Sequence, residues 1–171
     1  MMNVAQPIPK MTLAEFEALS KEEHLNYELI DGLVMMSPSP SFDHQKIGVR
    51  LLKELLTALD QTTCEPLYEY DIRLSEDVLK PDMMIFCNED HELPVIVFEI
   101  LSPSTRFKDL RIKLIKYEEL GIKEYWIIDP KVKTVTVHDF IRQTSETYGL
   151  GEIIFSPTIP ELSVTVAAIF P

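Results

Sequence analysis

The sequence predicts an α/β protein, with a mixed β-sheet flanked by α-helices in a single domain. Three observations carry this. Ile47, Leu51, Leu52, Leu55, Leu56 and Leu59 recur at helical spacing and mark one long amphipathic helix. The runs 83–86, 95–101 and 124–128 are short and apolar, the length of strands, and 95–101 is apolar nearly throughout, as a central strand covered on both faces must be. The order of elements is helix, hairpin, helix, strands, helix, strands, which suits a layered α/β arrangement rather than a bundle or a sandwich.

Residues 1–10 contain two prolines and no periodicity and read as a flexible lead-in, leaving 11–171 as the domain. Thr12-Leu13-Ala14-Glu15 is a capping box that opens a short helix to about Leu19. Tyr27-Glu28-Leu29-Ile30 reads as a strand, Asp31-Gly32 as a two-residue turn, and Leu33-Val34-Met35-Met36 as the return strand. Alternating serine and proline from Ser37 to Ser41 require a loop. Ser41 or Asp43 then caps the long helix, which runs to about Leu59 with His44 in its first turn. Strands are expected at 64–70, continuing toward Leu74, at 83–86 and at 95–101. Ser102-Pro103-Ser104-Thr105 ends the last of these and caps a helix that stops at Gly121. Residues 124–128 form another buried strand, 133–140 a half-exposed one, and 152–155 with 162–169 further strand or a closing hairpin.

The 171 residues suffice for one domain with a substantial core, and 46% hydrophobic with 26% charged residues is ordinary for a soluble globular protein. No apolar run has the length of a membrane span and no signal-peptide pattern is present, so a cytoplasmic protein is expected. Cys64 and Cys87 have no metal-ligand spacing and read as two reduced, partly buried thiols. The formal net charge of -12 opposes non-specific binding to a phosphate backbone. That charge is unevenly spread: between Ser104 and Lys116 there are five basic residues, Arg106, Lys108, Arg111, Lys113 and Lys116, and one acidic residue, Asp109.

Asp82 and Glu99 each interrupt an apolar run. A charge in such a place is costly unless it is paired or holds a metal. If their strands are neighbours, the two carboxylates converge at one sheet edge and repel each other unless a cation screens them. Oxygen donors suit magnesium or manganese, which keep several waters and accept phosphate oxygens. Such an ion lowers the pKa of bound water and stabilises charge developing on a phosphoryl group, and a nearby lysine adds to that stabilisation. Lys113 borders the packing face of its helix and is the candidate, with Lys116 in reserve. Glu28 is a third carboxylate in an apolar setting, able to complete or position the metal site.

Pro81-Asp82 followed by Glu99 on an apolar strand resembles the PD-(D/E)XK nuclease superfamily. The wider pattern is similar to a restriction-endonuclease-like family of unknown cellular role. It is carried by Tyr27-Glu28-Leu29-Ile30-Asp31-Gly32, His44, Pro81-Asp82, 99–105, Lys113 with Tyr117, and 124–130, and it spans Leu13 to Phe170. The resemblance implies a restriction-endonuclease-like mixed sheet and a magnesium site formed by Asp82 and Glu99, with Glu28 as its early glutamate. The third position of the superfamily's Glu-x-Lys motif is Leu101 here. Relatives with this pattern supply the lysine from the following helix, which points to Lys113.

Each candidate has a plainer reading. Asp82 is also a strand-edge acid after proline, Glu99 the partner of a buried Lys113 or Arg111, Glu28 a hairpin surface residue, and Lys113 an amphipathic-helix lysine. His44 reads as a helix-terminus or packing histidine with a substrate-side role in second place. His24, His91 and His138 read as exposed and incidental, Tyr117, Tyr125 and Trp126 as core. Two functions follow. One is a magnesium-dependent endonuclease hydrolysing phosphodiester bonds in DNA, and the resemblance admits a homodimer that cuts both strands. The alternative is a weak or inactive nuclease-fold module acting through protein association, motivated by the acidic charge, Leu101 and the lack of a DNA-reading element.

Overall fold

The structure is a computed structural model that describes residues 10–87 and 92–171. The expected lead-in up to residue 9, and most of the acidic loop Glu89-Asp90-His91-Glu92, lie outside the described residues. The chain forms two compact units: Met1–Ser39 with Asp71–Lys80, and Pro40–Tyr70 with Pro81–Pro171. Elements are numbered along the whole chain.

The first unit holds α1 (Leu13–Glu17), β1 (Leu25–Ile30), β2 (Leu33–Pro38), β4 (Ile72–Arg73) and β5 (Val78–Leu79), with sheet order β2-β1-β5-β4. The capping box is present: Thr12 Oγ1 accepts the Glu15 amide and Glu15 Oε2 accepts the Thr12 amide. The hairpin turns at Asp31 and Gly32, both at positive φ (51° and 78°), which pairs Ile30 with Leu33. The Asp31 amide donates to Asp77 Oδ1 at 2.7 Å, tying the turn to the segment before β5. Phe16, Tyr27, Leu29 and Val78 form the core of this unit.

The second unit is built on a six-stranded sheet of order β10-β9-β8-β7-β6-β3. Its strands are β3 (Cys64–Tyr68), β6 (Met83–Cys87), β7 (Ile96–Ile100), β8 (Glu124–Asp129), β9 (Thr134–Asp139) and β10 (Thr144–Tyr148). Neighbours are antiparallel except β7 and β8, which run parallel, with a helical connection between them. That connection is a π-helical turn, Lys108–Lys113, continuing into α3 (Leu114–Glu119) and ending at Gly121 with φ 79°. The sheet is mixed, as the sequence predicts.

Strand alternation sorts the central residues onto two faces. Met83, Ile85, Ile96, Phe98, Ile100, Trp126 and Ile128 pack with α2 (Phe42–Leu59) in the main core. The same core takes in the closing hairpin β11 (Ile153–Phe155) and β12 (Ser163–Thr165) and the terminal turn α4 (Val166–Ile169). Ser41 caps α2, and Ile47, Leu51, Leu55 and Leu59 face inward, whereas Leu56 is exposed. Gly48 lets Tyr68 approach: an added Cβ would stand 2.9 Å from the Tyr68 ring. The opposite face carries Val97, Glu99, Tyr125 and Ile127 at alternate positions of β7 and β8.

Three differences from expectation have local causes. Strand β3 ends at Tyr68 because Glu69 adopts a left-handed φ of 51°, and Ile72–Arg73 belong to the first unit. Strand β10 was not anticipated, because Thr144 to Thr147 are all exposed and show no apolar alternation. Cys64 and Cys87, expected as reduced thiols, form a disulfide. They are register partners on β3 and β6 with Cα atoms 4.0 Å apart, and register is invisible in their separation of 23 residues.

Candidate active site

Asp82 and Glu99 come from adjacent antiparallel strands. The ladder pairs Ile85 with Ile96, Met84 with Val97 and Met83 with Phe98, so its next step sets Asp82 opposite Glu99. Residues in that relation present their side chains on one face. Asp82 Oδ2 accepts the Ile100 amide at 2.6 Å, fixing this carboxylate at the end of β7, one residue beyond Glu99. Two acids far apart in the sequence are thus brought to one strand end.

Glu99 is 3% exposed and its Oε1 accepts from Lys113 Nζ at 2.5 Å and from the Tyr117 hydroxyl at 2.9 Å. Lys113 is 1% exposed, and Asp109 Oδ1 lies 3.8 Å from its Nζ. Asp109, Lys113 and Tyr117 follow at intervals of four and all point inward from the π turn and α3. A π turn inside an α-helix is frequent at functional sites, where it re-aims side chains. The Tyr125 hydroxyl donates to the Asp109 carbonyl at 3.1 Å, and its ring packs edge-on against Tyr117 with centroids 5.0 Å apart. Burial, with Glu99 and Asp109 nearby, pushes the Tyr125 hydroxyl well above its ordinary pKa, so it remains a donor.

Neither Asp109 oxygen has a hydrogen-bond partner within 3.5 Å. Burial pushes this carboxyl up, against the opposing pull of Lys113 and of the Thr105 hydroxyl, which lies near the carboxylate without meeting hydrogen-bond geometry. The sequence reading passed over Asp109. Its signal was available: an acid four residues before the candidate lysine, on the same helical face.

His44 reaches the other side of Asp82. Its Nε2 is 3.3 Å from Asp82 Oδ2 and 3.1 Å from the Ile100 carbonyl. Burial would lower the imidazole, but the bond and charge of Asp82 and the Ile100 carbonyl outweigh it and hold the pKa above its ordinary value. His44 is therefore part of the cluster and not a remote packing residue. His138 also departs from expectation: it is half-buried, stacked between Tyr125 and Phe140, and burial lowers its pKa. His24 is exposed, as expected, and His91 lies outside the described residues.

Glu28 is buried in the first unit, where its Oε1 accepts the Lys80 amide at 2.8 Å. Glu124, buried on β8, accepts from Trp126 Nε1, the Ser156 hydroxyl and the Thr158 amide. The local basic stretch is only partly a surface feature. Lys113 and Lys116 are buried and Arg106 is paired with Asp129 at 2.6 Å, while Arg111 is exposed. Tyr117, Tyr125 and Trp126 are fully buried, as expected.

Among the described residues no three His, Cys, Asp or Glu side chains cluster closely enough to cage a metal ion. The oxygens at or next to this strand end are those of Asp82, the Ile100 carbonyl and Glu99, whose Oε1 is taken by Lys113 and Tyr117. That set suits a hard cation that keeps most of its waters and takes one or two carboxylates. It does not suit an ion needing an all-protein shell.

Among the described residues no helix is long and apolar enough to cross a membrane. No curated protein matches the chain. Among solved structures it is similar to a crystal structure from Anabaena variabilis, described as a putative nuclease belonging to DUF820, with a TM-score of 0.79. The two share 22% identity over 94% of this chain and 97% of the other, which establishes a common nuclease-like fold. The model of the Uma2 family, described as "Putative restriction endonuclease", matches residues 13–167, and with that span covering nearly all of the chain, the protein belongs to this restriction-endonuclease-like family.

Proposed function

We propose that the protein is a magnesium-dependent endonuclease that hydrolyses phosphodiester bonds in DNA, with manganese able to replace magnesium. The observation that supports this reading is the Asp82 carboxylate held by the Ile100 amide at the end of β7, one residue beyond the buried Glu99; the Lys113–Glu99 ion pair by itself is also what the plainer buried-pair reading expects. Asp82 and Glu99 would hold the ion, with the Ile100 carbonyl as a third oxygen. The bound ion would acidify water and neutralise charge on a scissile phosphate.

The protein's own residues have separate parts. The Ile100 amide and His44 Nε2 fix the Asp82 carboxylate from two directions. Tyr117 fixes Glu99. Lys113, buried against Glu99, would supply positive charge to a phosphate held at this site, where low dielectric makes it most effective. Glu28 enters as the third carboxylate on the strength of the resemblance.

The test is a manganese titration by calorimetry together with cleavage of supercoiled and linear DNA. Asp82→Ala and Glu99→Gln should each remove both signals while thermal unfolding stays cooperative. Glu28→Gln run in the same titration decides whether that residue contributes. No heat and no cleavage of DNA or RNA with either metal would sink the reading.

The burial of Lys113 and Lys116 and the pairing of Arg106 favour one second reading, a nuclease-fold module acting through protein association or as a homodimer. It predicts negligible DNA affinity at low salt. A tight complex whose affinity falls steeply with salt would exclude it.

A further inference from the structure

We propose that Asp109 is a positioning residue: it takes the Lys113 ammonium over from Glu99 when Glu99 binds a divalent cation. This rests on the metal-site reading above and adds to it a second station for the lysine.

Glu99 has two demands on it. Its Oε1 already accepts from Lys113 at 2.5 Å and from Tyr117 at 2.9 Å. A carboxylate that ligates a divalent cation gives up much of its negative potential, and an ammonium held against it then faces that cation's charge. Lys113 cannot answer by moving into water, since it is 1% exposed and its helix is packed on the sheet. A buried ammonium needs an anionic or hydrogen-bonding partner nearby.

Asp109 meets that need. Its Oδ1 is 3.8 Å from Lys113 Nζ, and neither of its oxygens has a hydrogen-bond partner. A buried carboxylate with only the Thr105 hydroxyl nearby and no well-formed hydrogen bond is costly, and an ammonium closing on it would reduce that cost. The two residues are four apart on one helical face, so the approach needs only a side-chain rotation of about 1 Å to reach charge-assisted hydrogen-bond distance. The Tyr125 hydroxyl, donating to the Asp109 carbonyl, anchors the backbone on which the receiving carboxylate sits. Before the cation binds, Glu99 holds the lysine and is itself neutralised. Afterwards Asp109 holds it, and the ammonium stays charged and oriented within the site.

Manganese binding to the full chain tests this by calorimetry on four proteins: wild type, Asp109→Asn, Lys113→Met and the double variant. Asp109→Asn should weaken manganese binding about tenfold, within the range for directly interacting groups, because the lysine then remains on Glu99. Lys113→Met removes the competitor, so adding Asp109→Asn in that background should change nothing further. An unchanged affinity in Asp109→Asn, or an equal loss in both backgrounds, overturns the hand-over. In either case wild-type heat that vanishes in Glu99→Gln leaves the metal site standing. A blank wild-type titration overturns both. Should Lys113→Met fail to fold, manganese-soaked crystals of the wild type decide: Nζ should lie nearer Asp109 Oδ1 than Glu99 Oε1, and an unbroken Glu99 contact overturns the proposal.

Discussion

Two glutamates are buried on the neighbouring parallel strands β7 and β8, and their surroundings differ in kind. Glu124 is 0% exposed and is satisfied by neutral donors: an indole, a hydroxyl and a backbone amide, at 2.6–2.8 Å. Glu99 is 3% exposed and is held by an ammonium and a tyrosine, with a second carboxylate close behind the ammonium. Burial is common to both and so does not mark a reactive acid. What separates them is the partner. Neutral donors from β8 and the segment after β11 make Glu124 a brace for the closing hairpin. Glu99 is instead held by a charged group, Lys113, which is the cation that a metal ion would have to displace under the proposed function.

The first way to break this contrast is Glu99→Ala. Phosphodiester hydrolysis should fall by about 10³-fold or more, the scale for loss of a group acting on the transition state. A single-turnover cleavage assay would show it, and retained activity would erase the distinction. The second is Glu124→Ala, which leaves the Trp126 indole and the Ser156 hydroxyl without an acceptor and the Thr158 amide with only the Ser156 oxygen at 3.2 Å. Unfolding free energy should drop by about 4 kcal/mol in urea titrations, with metal binding unchanged per folded molecule. Third, Lys113→Met should cut hydrolysis by about 10²-fold while leaving manganese bound at least as tightly, read from kcat and from calorimetry separately.

Asp129 supplies the smallest test, as a buried acid whose cation, Arg106, is half exposed. Burial raises its carboxyl, but Arg106 and the Lys131 amide overcome this and hold the pKa below the ordinary 3.8. A depressed carboxyl stabilises the fold above its unfolded pKa and loses that contribution as pH falls through the folded value. Arg106 is half exposed, so solvent screens the pair, and Arg106→Gln should cost only about 0.5 kcal/mol at neutral pH. The difference between wild type and variant should shrink as pH is lowered below 3.8, measured by thermal unfolding. A loss as large as that of Glu124→Ala would show that a half-exposed cation holds its acid as firmly as buried neutral donors do.

What the sequence revealed depended on whether a residue's meaning was local. The α2 stripe, the Asp31-Gly32 turn, the Thr12 box and the apolar β7 and β8 are local patterns and were legible. Glu99 was legible because a glutamate in an apolar strand contradicts its surroundings, and Lys113 because its helical position borders the packing face. The disulfide, Thr144–Tyr148 and the partners of Glu124 were not. They depend on register, on pairing of a polar strand with its neighbour, and on a hairpin some thirty residues further along, with separations of 32 and 34. Asp109 fell between: its spacing to Lys113 was visible, but only its lack of hydrogen bonds singles it out.

The margins of the six-stranded sheet have a consequence of their own. Its middle is rich in isoleucine and valine, the composition that recruits further strands when a rim lies open. Here one rim is β3, which carries Pro66 and is clamped to its neighbour through Cys64 and Cys87. The other is β10, short, hydroxyl-rich and bearing Glu146. Neither offers a stranger a long greasy template, which disfavours pairing between copies by continuation of this ladder.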